Sequence, residues 1–405
     1  MRQRRALSQR GGQISQAGDP RFSVRLHAAL AAADSSEAHD LTHGFHGYPA
    51  RMHPVLAREL VRGLADPGQI VLDPFAGSGT VLVEALVAGC KPQGVDLSPL
   101  ALRVAELHCA LRDARSRARF ASTAAAVAQA SEARVRERAA VDVPISRNER
   151  AYYQPHVMLE LSGLWAEIQA VEHEADRRAL EMVFSSILIK FSRLRADTSD
   201  ELAEKRIRKG LTTEFFARKA SELELRWEAL WDAAPREAYP AKLMLGDARR
   251  LPQLLGARFR ADLIVTSPPY GGTYDYAAQH ARRSAWLGLD LRELRAAEIG
   301  ARRNAEQGGA ARWDRELGAV LDGLAAVLAR DGKIALWQGD AELAGERIPA
   351  DAQIARLAPK AGLELLASAA QERADARGGP VRREHVLLLG KKSKKTAGPT
   401  QRTRR

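Results

Sequence analysis

The strongest constraint on the fold is a repeated alternation of short apolar runs with segments of helical periodicity. Each apolar run is bounded by turn residues, which is typical of a buried β-strand. Between the runs, residues 54–63 and 81–88 carry apolar side chains at spacings of three and four, which predicts helices. The predicted strands are residues 69–72, 93–95, 242–245, 263–265, 333–337, 363–367 and 385–389.

Such an alternation predicts an α/β fold, in which helices cover both faces of a mainly parallel sheet. The last two predicted strands, residues 363–367 and 385–389, follow each other without a long helix between them. We therefore expect them to form an antiparallel pair at one end of the sheet.

Residues 111–239 interrupt the pattern, because no convincing strand occurs there. This stretch is rich in Ala, Arg, Glu and Leu, which are common in helices. We predict a large helical insertion over residues 111–239, a candidate target-recognition region, with a loop near residues 141–150. The α/β domain is then discontinuous and consists of residues 21–110 and 240–390.

The positive charge is concentrated at the two ends of the chain. The 405 residues include 62 Lys and Arg and 50 Asp and Glu, which gives a net charge of +12. Residues 1–17 contain four Arg and no acidic residue, and residues 391–405 contain four Lys and three Arg. Neither segment has hydrophobic periodicity, so we predict basic disordered tails over residues 1–20 and 391–405. Because the rest of the chain is nearly neutral, the net charge alone does not identify a partner.

Composition excludes several classes of protein. Apolar residues make up 45% of the chain and charged residues 28%, as in an ordinary globular protein. The two cysteines, Cys90 and Cys109, are too few for a disulfide framework. No Cys or acidic cluster accompanies His43, His46 and His53, so we expect no metal site. The chain has no run of 18 apolar residues and no apolar stretch after its basic start, which predicts a cytoplasmic protein without membrane span or secretory signal.

The first motif that indicates chemistry lies between the first predicted strand and an apolar-periodic helix. Two glycines in such a turn let the backbone approach a ligand closely. No Gly-Lys-Ser/Thr follows, which excludes a P-loop, and Leu82 replaces the third glycine of a dinucleotide fingerprint. A tight turn without a ligand is the alternative. The motif consists of Asp73, Pro74, Phe75, Ala76, Gly77, Ser78, Gly79 and Thr80.

An acidic residue, Asp96, follows the second predicted strand, 17 residues after Gly79. A carboxylate in this position can accept hydrogen bonds from ribose hydroxyls. Taken alone, Asp96 is interpreted as a residue that flanks a helix N-terminus. Together with the glycine turn, it indicates a cofactor that contains a nucleoside.

The most specific motif directly follows the predicted strand 263–265 and consists of Thr266, Ser267, Pro268, Pro269 and Tyr270. Two consecutive prolines do not easily continue a central strand or open a helix. They predict a rigid corner at the carboxyl edge of the sheet, where open α/β sheets bind their ligands. A rigid loop without a function is the alternative.

Together, these motifs resemble those of the DNA amino-methyltransferases, which use S-adenosyl-L-methionine to methylate exocyclic nitrogens. That family has a D-P-F-x-G-x-G-T cofactor motif and an S/D/N-P-P-Y catalytic motif, and this sequence contains both. Ser267 preceded by Thr266 is most similar to the cytosine-N4 branch, whereas Asp and Asn forms are more similar to the adenine-N6 branch. The resemblance covers residues 43–110 and 242–390 and implies a Rossmann-like methyltransferase fold with a seven-stranded, mainly parallel sheet.

The resemblance also implies roles for the catalytic motif. Ser267 and the backbone carbonyl of Pro268 would accept the hydrogens of a base amine, so that its nitrogen becomes more tetrahedral and attacks the sulfonium methyl in line. Tyr270 would stack on a target base that has been flipped out of the DNA duplex. The predicted catalytic residues are Ser267, Pro268, Pro269 and Tyr270.

The cofactor residues are likewise implied by the resemblance. Asp73, Gly77 and Gly79 would bracket the methionine part of S-adenosyl-L-methionine. Asp96 would hold the ribose, and Asp247 would contact the adenine unless it is only a turn residue. The aromatic residues of segment 45–54 would cover the methionine end or pack on the sheet. The predicted set is Tyr48, Asp73, Pro74, Phe75, Ala76, Gly77, Gly79, Thr80, Asp96 and Asp247.

Basic residues outside the two tails are candidates for contact with nucleic acid. One cluster lies in the insertion, and two further arginines follow the catalytic motif beside Tyr274 and Tyr276. These cations would contact phosphates, although a solvated surface or packing against Trp286 is the alternative. The predicted nucleic-acid-binding residues are Lys190, Arg193, Arg206, Lys209, Arg282 and Arg283.

The sequence therefore predicts a site-specific DNA methyltransferase that acts on cytosine N4, with adenine N6 as the alternative target. Two further hypotheses stay open: an RNA methyltransferase that acts, for example, on guanine N2 of transfer RNA, and a non-catalytic nucleic-acid-binding protein. The first 40 residues contain no recognisable RNA-binding module, and the intact catalytic motif argues against a loss of activity. Carbon-5 methylation is unsupported, because it uses a Cys that follows a Pro, whereas Cys90 follows Gly89 and Cys109 follows His108. The oligomeric state and the recognition sequence stay open.

Overall fold

The computed structural model describes residues 11–34, 39–49, 51–139, 141–196, 201–304, 309–373 and 382–392. The strands are β1 (Gly11–Gly18), β2 (Ile70–Asp73), β3 (Lys91–Asp96), β4 (Lys242–Leu245), β5 (Ala261–Thr266), β6 (Leu328–Gly339), β7 (Ala341–Leu343), β8 (Glu346–Ile348), β9 (Leu363–Arg373) and β10 (Arg382–Lys391). Eight of them form one sheet in the order β1-β9-β10-β6-β5-β2-β3-β4, and β7 and β8 form a separate antiparallel pair.

The helices lie between these strands and in one long stretch that separates β3 from β4. They are α1 (Pro20–Asp34), α2 (Pro54–Leu64), α3 (Thr80–Val87), α4 (Pro99–His108), α5 (Ala114–Glu137), α6 (Arg147–Arg150), α7 (Pro155–Gln169), α8 (Glu174–Phe191), α9 (Leu211–Ala233), α10 (Leu251–Leu255), α11 (Tyr276–Trp286), α12 (Arg292–Ala297), α13 (Gly309–Val327) and α14 (Ala350–Leu357). Short 3₁₀ turns occupy residues 248–250, 302–304 and 358–361.

Five neighbouring strands, β4, β3, β2, β5 and β6, run parallel to one another. Helices cover both faces of the sheet, so alternate side chains of β5 enter different cores. Ile264 packs in the core that includes Leu317 of α13, whereas Leu263 and Val265 pack in the core that includes Leu26 of α1. The predicted mainly parallel sheet and Rossmann-like fold are confirmed, and all seven predicted strands are present. The sheet has an eighth strand, β1.

Residues 11–20 correct the predicted N-terminal tail. β1 pairs antiparallel with β9, from Gly11 opposite Arg373 to Gly18 opposite Ala367, and α1 begins at Pro20. Most side chains of β1 are exposed, and its sequence has no apolar alternation. Backbone pairing with β9 holds this strand, so a search for buried periodicity does not find it. Residues 1–10 lie outside the described residues.

The other end of the chain needs two corrections. β10 lies between β6 and β9 and is antiparallel to both, so the last two predicted strands do pair. However, β1 occupies the sheet edge where that pair was expected. β10 also extends to Lys391, the first residue of the predicted C-terminal tail. Residues 393–405 of that tail lie outside the described residues.

Residues 111–239 form helices α5 to α9. Within the described part of this stretch, the only β-pairing is an isolated bridge between Leu194 and Leu202. Helix α6 lies inside the predicted loop at residues 141–150. Phe184 and Trp227 of the insertion share one core with Val104 of α4 and Trp286 of α11. The core of the insertion is therefore continuous with side chains of the sheet domain.

Within the described ranges, no helix combines the length and the apolar character that crossing a membrane requires.

Candidate active site

A cleft with about 860 Å³ of empty space opens at the carboxyl ends of β2, β3, β4 and β5. This edge is where parallel sheets bind ligands. Both sequence motifs contribute to it. Of the predicted site residues, Tyr48, Asp73, Pro74, Phe75, Ala76, Gly77, Thr80, Asp96, Asp247, Ser267 and Pro269 line the cleft. Gly79, Pro268 and Tyr270 are neighbours of these residues but do not form its wall.

The glycine turn between β2 and α3 requires its two glycines. Gly77 has φ +50° and Gly79 has φ +80°, a region that residues with a side chain rarely adopt. A Cβ at Gly79 would also lie 3.0 Å from Cα and Cβ of Ala105, because α4 packs closely there. His108 Nδ1 donates to the carbonyl of Ser78 at 2.8 Å, and burial lowers the pKa of this imidazole to about 3. A neutral, buried histidine therefore helps to fix the turn.

Asp96 at the end of β3 connects two loops of the cleft. Its Oδ2 accepts a hydrogen bond from the amide of Gly77, and its Oδ1 accepts one from the amide of Ser98, each at 2.8 Å. Burial raises the pKa of this carboxyl to about 6, although the backbone hydrogen bonds oppose that effect. The carboxylate is thus held in one orientation at the cleft wall.

Asp73 at the end of β2 is only 4% exposed. Its Oδ1 accepts hydrogen bonds from the Thr266 hydroxyl at 2.7 Å and from the Phe75 amide at 3.1 Å. Burial raises the pKa of this carboxyl to about 7, and the two hydrogen bonds counteract the increase. Because Thr266 immediately precedes Ser267, Asp73 links the glycine turn to the predicted catalytic motif.

Asp247 follows β4 and lines the opposite side of the cleft. Its Oδ1 caps a 3₁₀ turn by accepting from the Arg249 amide at 2.9 Å, and its Oδ2 lies 2.5 Å from Arg249 Nη2. The same Nη2 donates to the carbonyl of Ala297 at 2.9 Å. Asp247 is therefore placed at the cleft as predicted, but it is also ion-paired.

An aromatic cluster covers one side of the glycine turn. The Tyr48 ring is so close to Gly77 that a Cβ there would lie 3.2 Å from Tyr48 Cε1. Tyr48 stacks on Tyr276 with ring centroids 6.3 Å apart, and His280 lies against Tyr48 at 5.2 Å. His280 Nδ1 is in turn 3.0 Å from the hydroxyl of Ser98. The segment before α2, the loop after β3 and helix α11 thus meet at this cluster.

The catalytic motif leaves β5 at the cleft, where Ser267 and Pro269 form part of the wall. The Tyr270 ring lies on Gly339 at the end of β6, since a Cβ at Gly339 would lie 2.9 Å from Tyr270 Cε2. Burial raises the pKa of the Tyr270 phenol well above its usual range, and Glu384 acts in the same direction. Tyr270 is therefore uncharged, and its ring packs against the backbone of β6 at Gly339, which has no side chain.

Two features of the cleft wall fit the expected cofactor. Thr80 Oγ1 is buried and has no hydrogen-bond partner among the described residues. Asp73 uses Oδ1 for both of its hydrogen bonds within the described structure, so its Oδ2 is available to a donor in the cleft. A cofactor with an ammonium group and ribose hydroxyls supplies such donors. The residues present therefore match the chemistry of S-adenosyl-L-methionine.

Four of the predicted nucleic-acid-binding residues, all in the insertion, are exposed: Lys190, Arg193, Arg206 and Lys209. Arg193 and Arg206 line an open groove. Lys190 Nζ lies 3.6 Å from the centre of the Phe215 ring. Arg193, Arg206 and Lys209 form no ion pair with any carboxylate that the structure describes. These four cations are thus accessible to an anionic partner.

The two arginines of α11 have different surroundings from those predicted. Arg283 is 3% exposed, and its Nε donates to the backbone carbonyl of Ser185 at 3.2 Å. Arg282 forms an ion pair with Glu149 at 3.0 Å and lies 3.7 Å from the centre of the Tyr152 ring. The prediction of phosphate contact is wrong for Arg283, because protein encloses its guanidinium. Arg282 is mostly engaged in contacts with the insertion.

Several residues of the site were missed by sequence analysis. Glu298 lines the cleft, accepts from the amide of Tyr276 at 2.7 Å and pairs with Arg303 at 2.7 Å. Burial raises the pKa of this carboxyl. Gly339 supports Tyr270 from β6, and Ser98 contacts His280. None of these lies in a recognisable motif, so only the fold brings them to the site.

The three histidines considered for a metal site have protein partners. His43 Nε2 is 2.7 Å from Glu84 Oε1, His46 Nε2 is 3.0 Å from the hydroxyl of Ser185, and His53 caps the N-terminus of α2. In the ranges that the structure describes, no group of three or more His, Cys, Asp or Glu side chains could hold a metal ion.

Comparison with known proteins identifies relatives of parts of this chain. Residues 29–107 match the model of the N6/N4 methyltransferase family, which is described as DNA methylase. The type II methyltransferase M.MjaII of Methanocaldococcus jannaschii is 37% identical over 86 residues, 21% of this chain and 16% of that protein. The type II methyltransferase M.MvaI of Kocuria varians is 45% identical over 64 residues, 15% of this chain and 14% of that protein. The chain thus aligns with less than a fifth of each relative's length.

Solved structures that overlap partly with this chain include methyltransferases. The rRNA methyltransferase aviRa of Streptomyces viridochromogenes has 14% identity and a TM-score of 0.35, with 88% of this chain and 94% of that chain covered. A SAM-dependent methyltransferase of Methanosarcina mazei has 10% identity and a TM-score of 0.33, with coverages of 83% and 98%. The fold assignment rests on the strand order itself and not on these overlaps. Residues 29–107, which carry the glycine turn, are thus similar to the N6/N4 family of DNA methylases, and S-adenosyl-L-methionine is the cofactor that this family match supports.

Proposed function

We propose that this chain is a site-specific DNA methyltransferase that transfers a methyl group from S-adenosyl-L-methionine to an exocyclic base amine, with cytosine N4 as the first target. One observation carries this proposal: Ser267 and Pro269 of the catalytic motif line the same cleft as Asp73 and Asp96. A methyl donor and a base amine that enter this cleft would therefore meet. The DNA methylase match and the two type II relatives support DNA as the substrate.

The acidic residues of the cleft are suited to hold the donor. Asp73 Oδ2 would accept hydrogen bonds from the ammonium group of S-adenosyl-L-methionine. Asp96 would accept from the ribose hydroxyls of the cofactor, and Asp247 would accept from its adenine amine. Thr80 Oγ1, which lacks a partner among the described residues, would form one further hydrogen bond. When bound, S-adenosyl-L-methionine supplies an electrophilic methyl group on a sulfonium.

The catalytic motif would prepare the base amine for attack. An exocyclic amine is a weak nucleophile, because its lone pair is delocalised into the base. The Ser267 hydroxyl and the Pro268 carbonyl would accept the two amine hydrogens, which turns the nitrogen lone pair toward the methyl group. As the nitrogen–carbon bond forms and the carbon–sulfur bond breaks, the amine becomes acidic and loses its proton to water. Positioning and fixed dipoles therefore replace a strong base.

Tyr270 would hold the target base by stacking. Its ring rests on Gly339, so the opposite ring face is the one left for a base. Because its pKa is raised, the phenol stays neutral at any ordinary assay pH. An uncharged ring that is packed on one face is suited to stack on a flipped base with its other face.

The exposed cations of the insertion would bind the phosphate backbone. Lys190, Arg193, Arg206 and Lys209 are accessible, whereas Arg283 is not. Each phosphate contact adds affinity without sequence specificity and releases counterions. The site specificity would come from other contacts of the same region.

Methylation of a mixed-sequence DNA duplex by the purified chain tests the proposal. With labelled S-adenosyl-L-methionine, digestion to nucleosides and mass spectrometry should reveal N4-methylcytosine, and modified-base sequencing should reveal one recognition sequence. N6-methyladenine would move the target to the alternative base. Transfer to tRNA with none to DNA, or no transfer by a chain that binds the cofactor, would contradict the proposal.

A further inference from the structure

We propose that Thr266 is a positioning residue of the cofactor site, whose hydroxyl fixes the Asp73 carboxylate so that Oδ2 faces a ligand in the cleft. The inference rests on the proposed function, because it assigns Asp73 to the cofactor ammonium. Thr266 itself does not line the cleft and would act only through Asp73.

The contact between Thr266 and Asp73 lies between the glycine turn and the catalytic motif. Asp73 ends β2 and Thr266 ends β5, and these neighbouring strands pair in parallel with Leu72 opposite Ile264. Thr266 Oγ1 donates to Asp73 Oδ1 at 2.7 Å, and both side chains are buried, at 0% and 4% exposure. A single hydrogen bond thus connects the residue before Ser267 to the first residue of the glycine turn.

The two hydrogen bonds of Asp73 leave its carboxylate asymmetric. The Thr266 hydroxyl and the Phe75 amide both donate to Oδ1. Oδ2 receives no hydrogen bond from the described residues, and Asp73 is part of the cleft wall. The carboxylate therefore cannot rotate without losing two hydrogen bonds, and an ammonium in the cleft meets an acceptor that is already oriented.

The hydroxyl also favours the charged form that an ammonium requires. Burial raises the pKa of Asp73 to about 7, while the hydrogen bonds from Thr266 and Phe75 act to lower it and Asp96 acts to raise it. The other titratable or charged side chains at the cleft are Tyr48, Arg51, Asp247, Tyr276 and Glu298. All of them are unchanged when Thr266 is replaced, so a variant isolates the effect of the hydroxyl.

The test is calorimetric titration of S-adenosyl-L-methionine into the full chain at pH 6.5, 7.5 and 8.5. Thr266→Val keeps the shape of the side chain and removes the donor, whereas Thr266→Ser keeps the donor. Thr123→Val removes a comparable hydroxyl from the exposed face of α5, where it donates only to the Arg119 carbonyl, and serves as the matched control.

At pH 7.5 we expect Thr266→Val to weaken cofactor binding about tenfold, because a hydrogen bond to a charged group is removed. The effect should shrink to about two- to threefold at pH 8.5, where Asp73 of the variant is again ionised. Titration of the cofactor's own amine is common to all variants and cancels in the ratio. Thr266→Ser and Thr123→Val should bind within about twofold of the unmodified chain.

Equal binding by Thr266→Val at every pH would overturn the inference. So would a loss of affinity that does not depend on pH, or one that Thr266→Ser shares, since either result means that Thr266 only fills space. If melting shows that Thr266→Val does not fold, Thr266→Ala carries the same prediction. An unmodified chain that binds the cofactor but does not methylate DNA would contradict the proposed function alone.

Discussion

The amide of Gly77 donates to Asp96 Oδ2 at 2.8 Å, which ties the glycine turn after β2 to the end of β3. The other oxygen, Oδ1, accepts from the amide of Ser98. Because each oxygen holds one backbone amide, the shape of this part of the cleft depends on the ionised carboxylate.

We expect Asp96→Asn to lower the affinity for S-adenosyl-L-methionine at least about tenfold, since an amide nitrogen would face one of the two backbone donors. Asp322→Asn, an exposed change on α13, is the matched control.

In the unmodified chain, affinity should fall as the pH is lowered from 7.5 to 5.5, because Asp73 and Asp96 have pKa values of about 7 and about 6. Calorimetry that finds no pH dependence would refute this account of the two carboxyls.

We expect Ser267→Ala to reduce methyl transfer about 100-fold, the effect typical of removing one hydrogen-bonding group from a reacting centre. Cofactor affinity should stay within about twofold, because the proposed role of this hydroxyl is toward the base amine and not toward the cofactor. Ser221→Ala is the control, since that hydroxyl donates only to the Ala217 carbonyl on α9. Single-turnover transfer and calorimetry separate the two effects, and full activity in Ser267→Ala would remove the residue from the mechanism.

Gly339→Ala should impair base binding without affecting the cofactor. Its Cβ would lie 2.9 Å from Tyr270 Cε2, so the ring must move from its support. We expect the apparent KM for DNA to rise about tenfold or more, in line with weaker stacking on the base. Gly318→Ala on α13 places its Cβ in open space and should leave the KM for DNA and the KM for the cofactor unchanged. A similar KM for Gly339→Ala would show that the position of Tyr270 does not matter.

The exposed cations and the enclosed Arg283 should behave differently. Arg206→Ala with Lys209→Ala should weaken DNA binding and reduce the salt dependence of log K by about 1.8, or about 0.9 for each phosphate that is no longer neutralised. Melting should be unchanged for this pair. Arg283→Ala should lower the melting temperature instead, because it leaves buried polar groups without their partner. Filter binding at several salt concentrations distinguishes these outcomes, and an unaltered salt slope would remove the cluster from the interface.

The sequence was sufficient for the parts of the fold where burial and motif coincide. The strands that lead to Asp73 and Thr266 are apolar runs that end at a polar residue, so both their existence and their functional ends are visible. β1 was missed because it is held by backbone pairing and its side chains are mostly exposed. The hairpin of β7 and β8 was missed because each strand has three residues, which is too short for periodicity.

In the site, too, some residues were predictable from the sequence and others were not. Two motifs predicted the residues that line the cleft, yet its remaining polar groups come from distant parts of the chain. Glu298 reaches the cleft from the turn after α12, and Gly339 reaches Tyr270 from β6. Charge alone also failed to separate Arg206, which is exposed, from Arg283, which faces α8. Which side of a helix is covered depends on its neighbours, and a single sequence does not contain that information.

The common interior of Trp286, Phe184 and Trp227 limits how the insertion can be exchanged for another one. A graft cut at residues 111 and 239 would leave Trp286 of α11 without the aromatic neighbours that now surround it. A functional chimera would have to transplant α11 together with the insertion. For the same reason, we expect a displacement of the insertion to move α11 with it, since Trp286 packs against aromatic side chains of the insertion.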